Sequence, residues 1–140
     1  PFCGTGGILL EAGMMGMEVR GCDIDPDMVE GCMENLDSYG VESYDIMEDG
    51  AFSFLDRMDE VDAVVTDLPY GKSSLKFSDT ERMVERLLES VEDNCVGRLV
   101  FMLDRKSIAG LEADFEVYVH RSLSRYIYRV DPKQLNIEEE

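Results

Sequence analysis

The run Asp67-Leu68-Pro69-Tyr70-Gly71 sets a carboxylate, a rigid backbone and an aromatic face side by side. A carboxylate, or a carbonyl held by a neighbouring proline, accepts the hydrogens of an exocyclic amino group and aims its lone pair at an electrophile. Tyr70 can stack on a planar base swung out of its helix. The competing structural reading is a proline turn with a packing tyrosine. A second run, Pro1-Phe2-Cys3-Gly4-Thr5-Gly6-Gly7, places glycines where a Cβ would clash or penalise positive φ, so its backbone can approach a ligand closely. Asp23 follows roughly twenty residues later, where a carboxylate accepts from both hydroxyls of a ribose. Asp25 is a second candidate, although capping a helix explains it. Asp49 is placed either to accept from an adenine amino group or as an ordinary loop residue.

The glycines are spaced G-x-G-G, without the third glycine of the dinucleotide pattern G-x-G-x-x-G. That spacing argues against NAD. A ligand with adenine and ribose but no pyrophosphate needs less of the anion site at a helix N-terminus, which suits S-adenosylmethionine.

These residues need elements to hold them. A short helix is expected after the glycine loop, then a strand within Met17 to Ile24 that ends before Pro26. A helix from Asp27 to about Tyr39 carries Met28, Val29, Cys32, Met33 and Leu36 at helical spacing, with Asp25 as N-cap and Gly40 as stop. Further units follow: a strand over Glu42 to Met47, a brief helix at Phe52 to Met58 and an apolar strand over Val61 to Thr66. The next helix runs from Thr80 to about Asn94, with Ser78 or Asp79 as cap and Met83, Val84, Leu87, Leu88 and Val91 as its buried stripe. A strand over Gly97 to Leu103, a short helical stretch near Lys106 to Leu111, and strands at Phe115 to His120 and Ser124 to Val130 complete the order. Alternating strands and helices imply a doubly covered, mostly parallel sheet, closed by an antiparallel hairpin. Ligands of such sheets lie outside the carboxyl ends of the strands, where all the runs above fall.

The chain is one domain in size, and no apolar run approaches the ~20 residues of a membrane span. Thirty-one acidic against thirteen basic residues give a formal charge of -18, a surface that repels polyphosphates by itself. It serves solubility or, with Lys scarce beside Arg, a saline cytoplasm. Cys3, Cys22, Cys32 and Cys95 show no CxxC spacing and only His120 could join them, so no metal site is expected. Scattered cysteines in apolar surroundings and no leader segment point to reduced thiols in a cytoplasm. No strand precedes the glycine loop, so the chain is expected to be an N-terminally truncated piece of a longer protein, with residues 1–140 as its catalytic domain.

Pro1 to Ala12, Gly21 to Pro26 and Val61 to Gly71 resemble the cofactor loop, ribose acidic site and catalytic motif of class I amino-methyltransferases. Their motif is (Asp/Asn/Ser)-Pro-Pro-(Tyr/Phe/Trp). The opening PFCGTGGILLEA, the DLPYG loop and the late VHRSLSR segment are similar to archaeal and eukaryotic enzymes that methylate N2 of guanosine at tRNA position 10. The resemblance implies a Rossmann-like fold and methyl transfer from S-adenosylmethionine held by Pro1, Cys3, Gly4, Thr5, Gly6, Asp23, Ile24 and Asp49. It implies Asp67, Pro69 and Tyr70 as catalytic residues, no metal, and tRNA bound through an N-terminal THUMP region. Leu68 stands where the family has its first proline, which leaves the loop less rigid. Lys72, Lys76, Arg121 and Arg125 are candidate phosphate contacts, and His120 is a strand residue of the hairpin. The same motif suits adenine or cytosine amino groups in DNA, or a glutamine amide. An idle cofactor-binding domain and an NAD-dependent oxidoreductase are the readings from other classes.

Overall fold

The first unit, Pro1–Arg57, is organised by helix ends written into the local sequence. Asp25 caps α2 (Pro26–Ser38) by accepting from the Asp27 N–H at 2.9 Å, with Pro26 in the first turn. At the other end Gly40, at φ 75°, lets its own N–H reach Asp37 O at 3.1 Å while the Val41 N–H reaches Leu36 O at 2.9 Å. These two bonds satisfy carbonyls the helix leaves open and fold Val41 back on the apolar face. Val29, Cys32 and Leu36 bury that face. A parallel pair, β1 (Val19–Asp23) and β2 (Tyr44–Glu48), lies in register from Val19 with Tyr44 to Asp23 with Glu48. Val19, Cys32, Leu36 and Val41 form the core, with Leu9 and Leu10 of α1 (Gly7–Met14) packed against it. α3 (Ala51–Asp56) follows.

This computed structural model describes residues 1–69 and 77–135. The second unit begins at Met58. Its four-stranded sheet has the order β3 (Val61–Asp67), β4 (Cys95–Leu103), β8 (Leu123–Val130), β7 (Phe115–His120). β3 and β4 are parallel, whereas the β4–β8 and β8–β7 pairs are antiparallel. α4 (Phe77–Asn94) buries Thr80, Val84, Leu87 and Val91, a three-and-four spacing that lays one stripe on the sheet. The sheet answers with Val64, Thr66, Leu99, Phe101, Leu103, Tyr128 and Val130. Phe101 and Tyr128 are cross-strand partners whose rings stack at 4.7 Å and 5°, a pairing worth about 0.5–1.5 kcal/mol beyond burial. α5 (Pro132–Leu135) closes the described chain.

The helix expected near Lys106 to Leu111 is absent. Its place is taken by a two-stranded hairpin, β5 (Ser107–Ile108) with β6 (Leu111–Glu112). Ala109 and Gly110 both have positive φ, 49° and 77°, the twist that favours a two-residue hairpin turn over a helical one. The late hairpin is present as expected, although every residue of β7 is exposed. Among the described residues no helix is long and apolar enough to cross a membrane.

Candidate active site

The glycine loop of the first unit is built on the end of β1. Cys3 donates its N–H to Cys22 O at 2.9 Å, so the loop lies along the strand, and the Gly6 N–H turns back to Cys3 O at 2.9 Å. Gly4 and Gly6 have φ of 54° and 87°. At Gly6 a Cβ would stand 2.5 Å from Cys32 Sγ on α2, so the position needs glycine for both conformation and space. Thr5 O accepts from Asn35 Nδ2 at 2.9 Å, a second tie to α2.

Asp23, at the carboxyl end of β1, is held from both sides. Its Oδ2 accepts the Gly4 N–H and its Oδ1 the Asp25 N–H, each at 3.0 Å. The carboxylate is thereby fixed relative to the glycine loop, and each oxygen keeps a second lone pair for a hydroxyl. Ile24, next in sequence, is 75% exposed, a bare apolar side chain beside Asp23. Asp49 follows β2, and its N–H donates to Asp23 O at 3.0 Å. Its Oδ1 accepts the Gly50 N–H at 2.8 Å and its Oδ2 is ion-paired with Arg57. Asp49 is thus an oriented group, and Arg57 is a partner the sequence reading missed. Pro1, Cys3, Gly4, Thr5, Gly6, Asp23, Ile24 and Asp49 all belong to this one unit. Backbone donors, a paired carboxylate and an exposed aliphatic side chain fit a nucleoside: hydroxyls for Asp23, a planar face for Ile24. Burial pushes the Cys3 thiol up to about 12 and raises Cys22 and Cys32 as well. All three are free thiols that stay protonated and inert at neutral pH. No cluster suited to a metal ion occurs among the described residues.

In the second unit Asp67 ends β3 and Pro69 follows, half-buried. Leu68 does not loosen this loop. It is 2% exposed, and its N–H donates to Met102 O at 3.4 Å, so the side chain anchors the motif in the core. Hydrophobic burial does here what a proline ring does by restricting φ. Arg125, a candidate phosphate contact by sequence, instead pairs with Asp67, Nη1 to Oδ2 at 3.2 Å. Tyr70, Lys72 and Lys76 lie outside the described residues. Arg121 and His120 are exposed at the hairpin end, where His120 Nδ1 accepts the Ser122 N–H at 3.3 Å. Past the end of β4 a shallow cavity of about 470 Å³ is lined by Asp104, Arg105, Lys106 and Ser107.

Comparison with known proteins gives this geometry its context. Residues 1–113 match the family described as UPF0020, RMKL-like, methyltransferase domain. The tRNA (guanine(10)-N2)-dimethyltransferase of Methanothermobacter thermautotrophicus is 41% identical over 139 residues, covering 91% of this chain and 41% of the relative. The protein of the same name from Methanocaldococcus jannaschii is 39% identical over 137 residues, covering 91% and 38%. The chain thus spans about two fifths of the length of these relatives. A putative methyltransferase solved in complex with SAH shares the fold with a TM-score of 0.75 at 18% identity, over 94% of this chain and 46% of that one. The fold is the Rossmann-like α/β arrangement of class I methyltransferases. With the match running from the glycine loop past Asp67 and β4, the chain belongs to the RMKL-like methyltransferase domain family.

Proposed function

We propose that this chain is the catalytic domain of an S-adenosylmethionine-dependent RNA methyltransferase that modifies N2 of a guanosine in tRNA, at position 10. The observation that carries the reading is identity of about 40% to archaeal enzymes of that name over nine tenths of the chain. In this reading the glycine loop, Asp23 and Ile24 hold the nucleoside part of the cofactor, and Asp49 meets its adenine. S-adenosylmethionine, when bound, supplies an electrophilic sulfonium methyl. Asp67 and the Pro69 carbonyl accept the hydrogens of the guanine amino group and turn its lone pair toward that methyl. Tyr70 stacks on the extruded base. Methyl transfer from the bound cofactor would leave positive charge on the guanine nitrogen, and the Asp67 carboxylate would stabilise it until the proton passes to water. Positioning and electrostatics suffice without a metal.

The curated relatives are more than twice as long as the part matched here. We assign tRNA binding to the kind of N-terminal region they have room for, which lets a domain of charge -18 work on a polyanion. The buried free thiols and the tRNA substrate favour a cytoplasmic setting. The test is to incubate the intact gene product with S-adenosylmethionine and an unmodified tRNA transcript, then map methylated nucleosides by mass spectrometry. N2-methylguanosine at position 10, absent from a transcript with adenosine there, is the expected result. Methylated adenosine or cytidine, or no RNA product, would overturn the assignment.

A further inference from the structure

Asp67 sits in a setting that the motif does not specify. We propose that Arg125 is the positioning residue that holds the Asp67 carboxylate in its working orientation; the inference rests on the reading of Asp67 as the acceptor of the amino hydrogens. The sheet register carries the argument. Asp67 pairs with Met102, and Met102 pairs with Ile127 on the far side of β4. Cross-strand partners share a face and side chains alternate along a strand, so Arg125, two residues from Ile127, emerges on the face that carries Asp67. The two strands are two spacings apart, roughly 10 Å, a gap that a long arginine bridges to place Nη1 3.2 Å from Oδ2.

Both side chains are partly sheltered, 42% exposed for Arg125 and 32% for Asp67. Such a pair orients its partners more firmly than one fully in water. Arg125 Nε is buried and has no hydrogen-bond partner among the described residues. The guanidinium makes its described polar contact with Asp67 through Nη1. The motif is therefore fixed at two points on neighbouring strands: its main chain by the Leu68 N–H on Met102 O, its carboxylate by Arg125 from β8. Angular tolerance for a productive site is about 10–20°, and a carboxylate at a strand end has free χ rotation to lose.

The experiment is a double-mutant cycle in the intact protein, with steady-state methylation of tRNA, cofactor affinity and thermal melting read for each variant. Arg125→Met is expected to lower kcat by about tenfold to a hundredfold, with KM for S-adenosylmethionine within about twofold of wild type. Arg125→Lys is expected to recover part of the loss, because the charge returns without the planar fork. In an Asp67→Asn background, Arg125→Met is expected to change kcat by less than about twofold, since its effect passes through the carboxylate. Turnover near wild type for Arg125→Met beside a collapsed Asp67→Asn would overturn the proposal, as would losses that multiply in the double variant. If Asp67→Asn itself leaves turnover intact, the acceptor reading fails and takes the proposal with it. Should Arg125→Met melt early, Arg125→Gln, neutral and closer in polarity, replaces it with the same expectations.

Discussion

The loop that ends β1 and the loop that ends β3 are both strand ends carrying an aspartate, yet they are held by different means. Asp23 is fixed by backbone donors, the N–H groups of Gly4 and Asp25. Asp67 is fixed by a side chain from a strand two places away, with Leu68 buried beneath it. Backbone donors cost no side-chain entropy and cannot be swapped by mutation, which suits the proposed role of Asp23 in holding a nucleoside. A side-chain clamp fixes a carboxylate from outside its own loop, which suits the proposed role of Asp67 in holding an acceptor amino group in one orientation.

The contrast can be broken most severely at Gly6. Gly6→Val adds a branched side chain at φ 87° and drives it toward Cys32 Sγ. We expect S-adenosylmethionine affinity, measured by calorimetry, to fall by at least about a hundredfold, the equivalent of two tenfold steps. Binding within a few-fold of wild type would show that the loop is not the cofactor cradle. Leu68→Ala probes the other strand end and should cost about 2–5 kcal/mol of stability in urea unfolding, the range for a buried leucine. Its effect on cofactor affinity should be small. A loss below about 1 kcal/mol would mean that the motif does not depend on that anchor.

The smallest effect is a loss of stability at high pH. Burial raises Cys3 from its usual 9 to about 12, and Cys22 and Cys32 in the same direction. The folded state therefore holds these protons more tightly than the unfolded state. Their contribution to stability is complete below pH 9 and is lost as pH climbs from 9 toward 12. Tyr128, raised to about 12 by burial, acts likewise in the second unit. Urea melts at rising pH should show stability declining through this window. A flat profile would mean that the thiols are not desolvated.

What could be read from sequence was what neighbours in sequence decide. Asp25 as cap, Gly40 as stop and the Gly4–Gly6 turn rest on contacts a few residues long, and Val84, Leu87 and Val91 of α4 on periodicity, whereas Met83 and Leu88, expected in the same buried stripe, flank it and are only half-buried. The six residues from Lys106 to Leu111 are too few for periodicity to separate helix from hairpin, and only the Ala109-Gly110 pair marks the turn. The Arg125 clamp was hidden because it depends on the register of β3, β4 and β8, set by long-range pairing. Arg57 on Asp49 escaped because one exposed arginine beside a short helix carries no pattern. Leu68 looked like a defect in the motif because burial, unlike a proline ring, is invisible until the core is assembled.

The division of labour between the two strand ends is tested most directly by titrating S-adenosylmethionine into Asp23→Asn and Asp67→Asn variants of the intact protein while following tRNA methylation. Asp23→Asn should weaken cofactor binding by about tenfold or more, and Asp67→Asn should leave affinity within about twofold while turnover falls by about a hundredfold or more. Equal losses of affinity in both variants, or turnover near wild type in Asp67→Asn, would contradict the account.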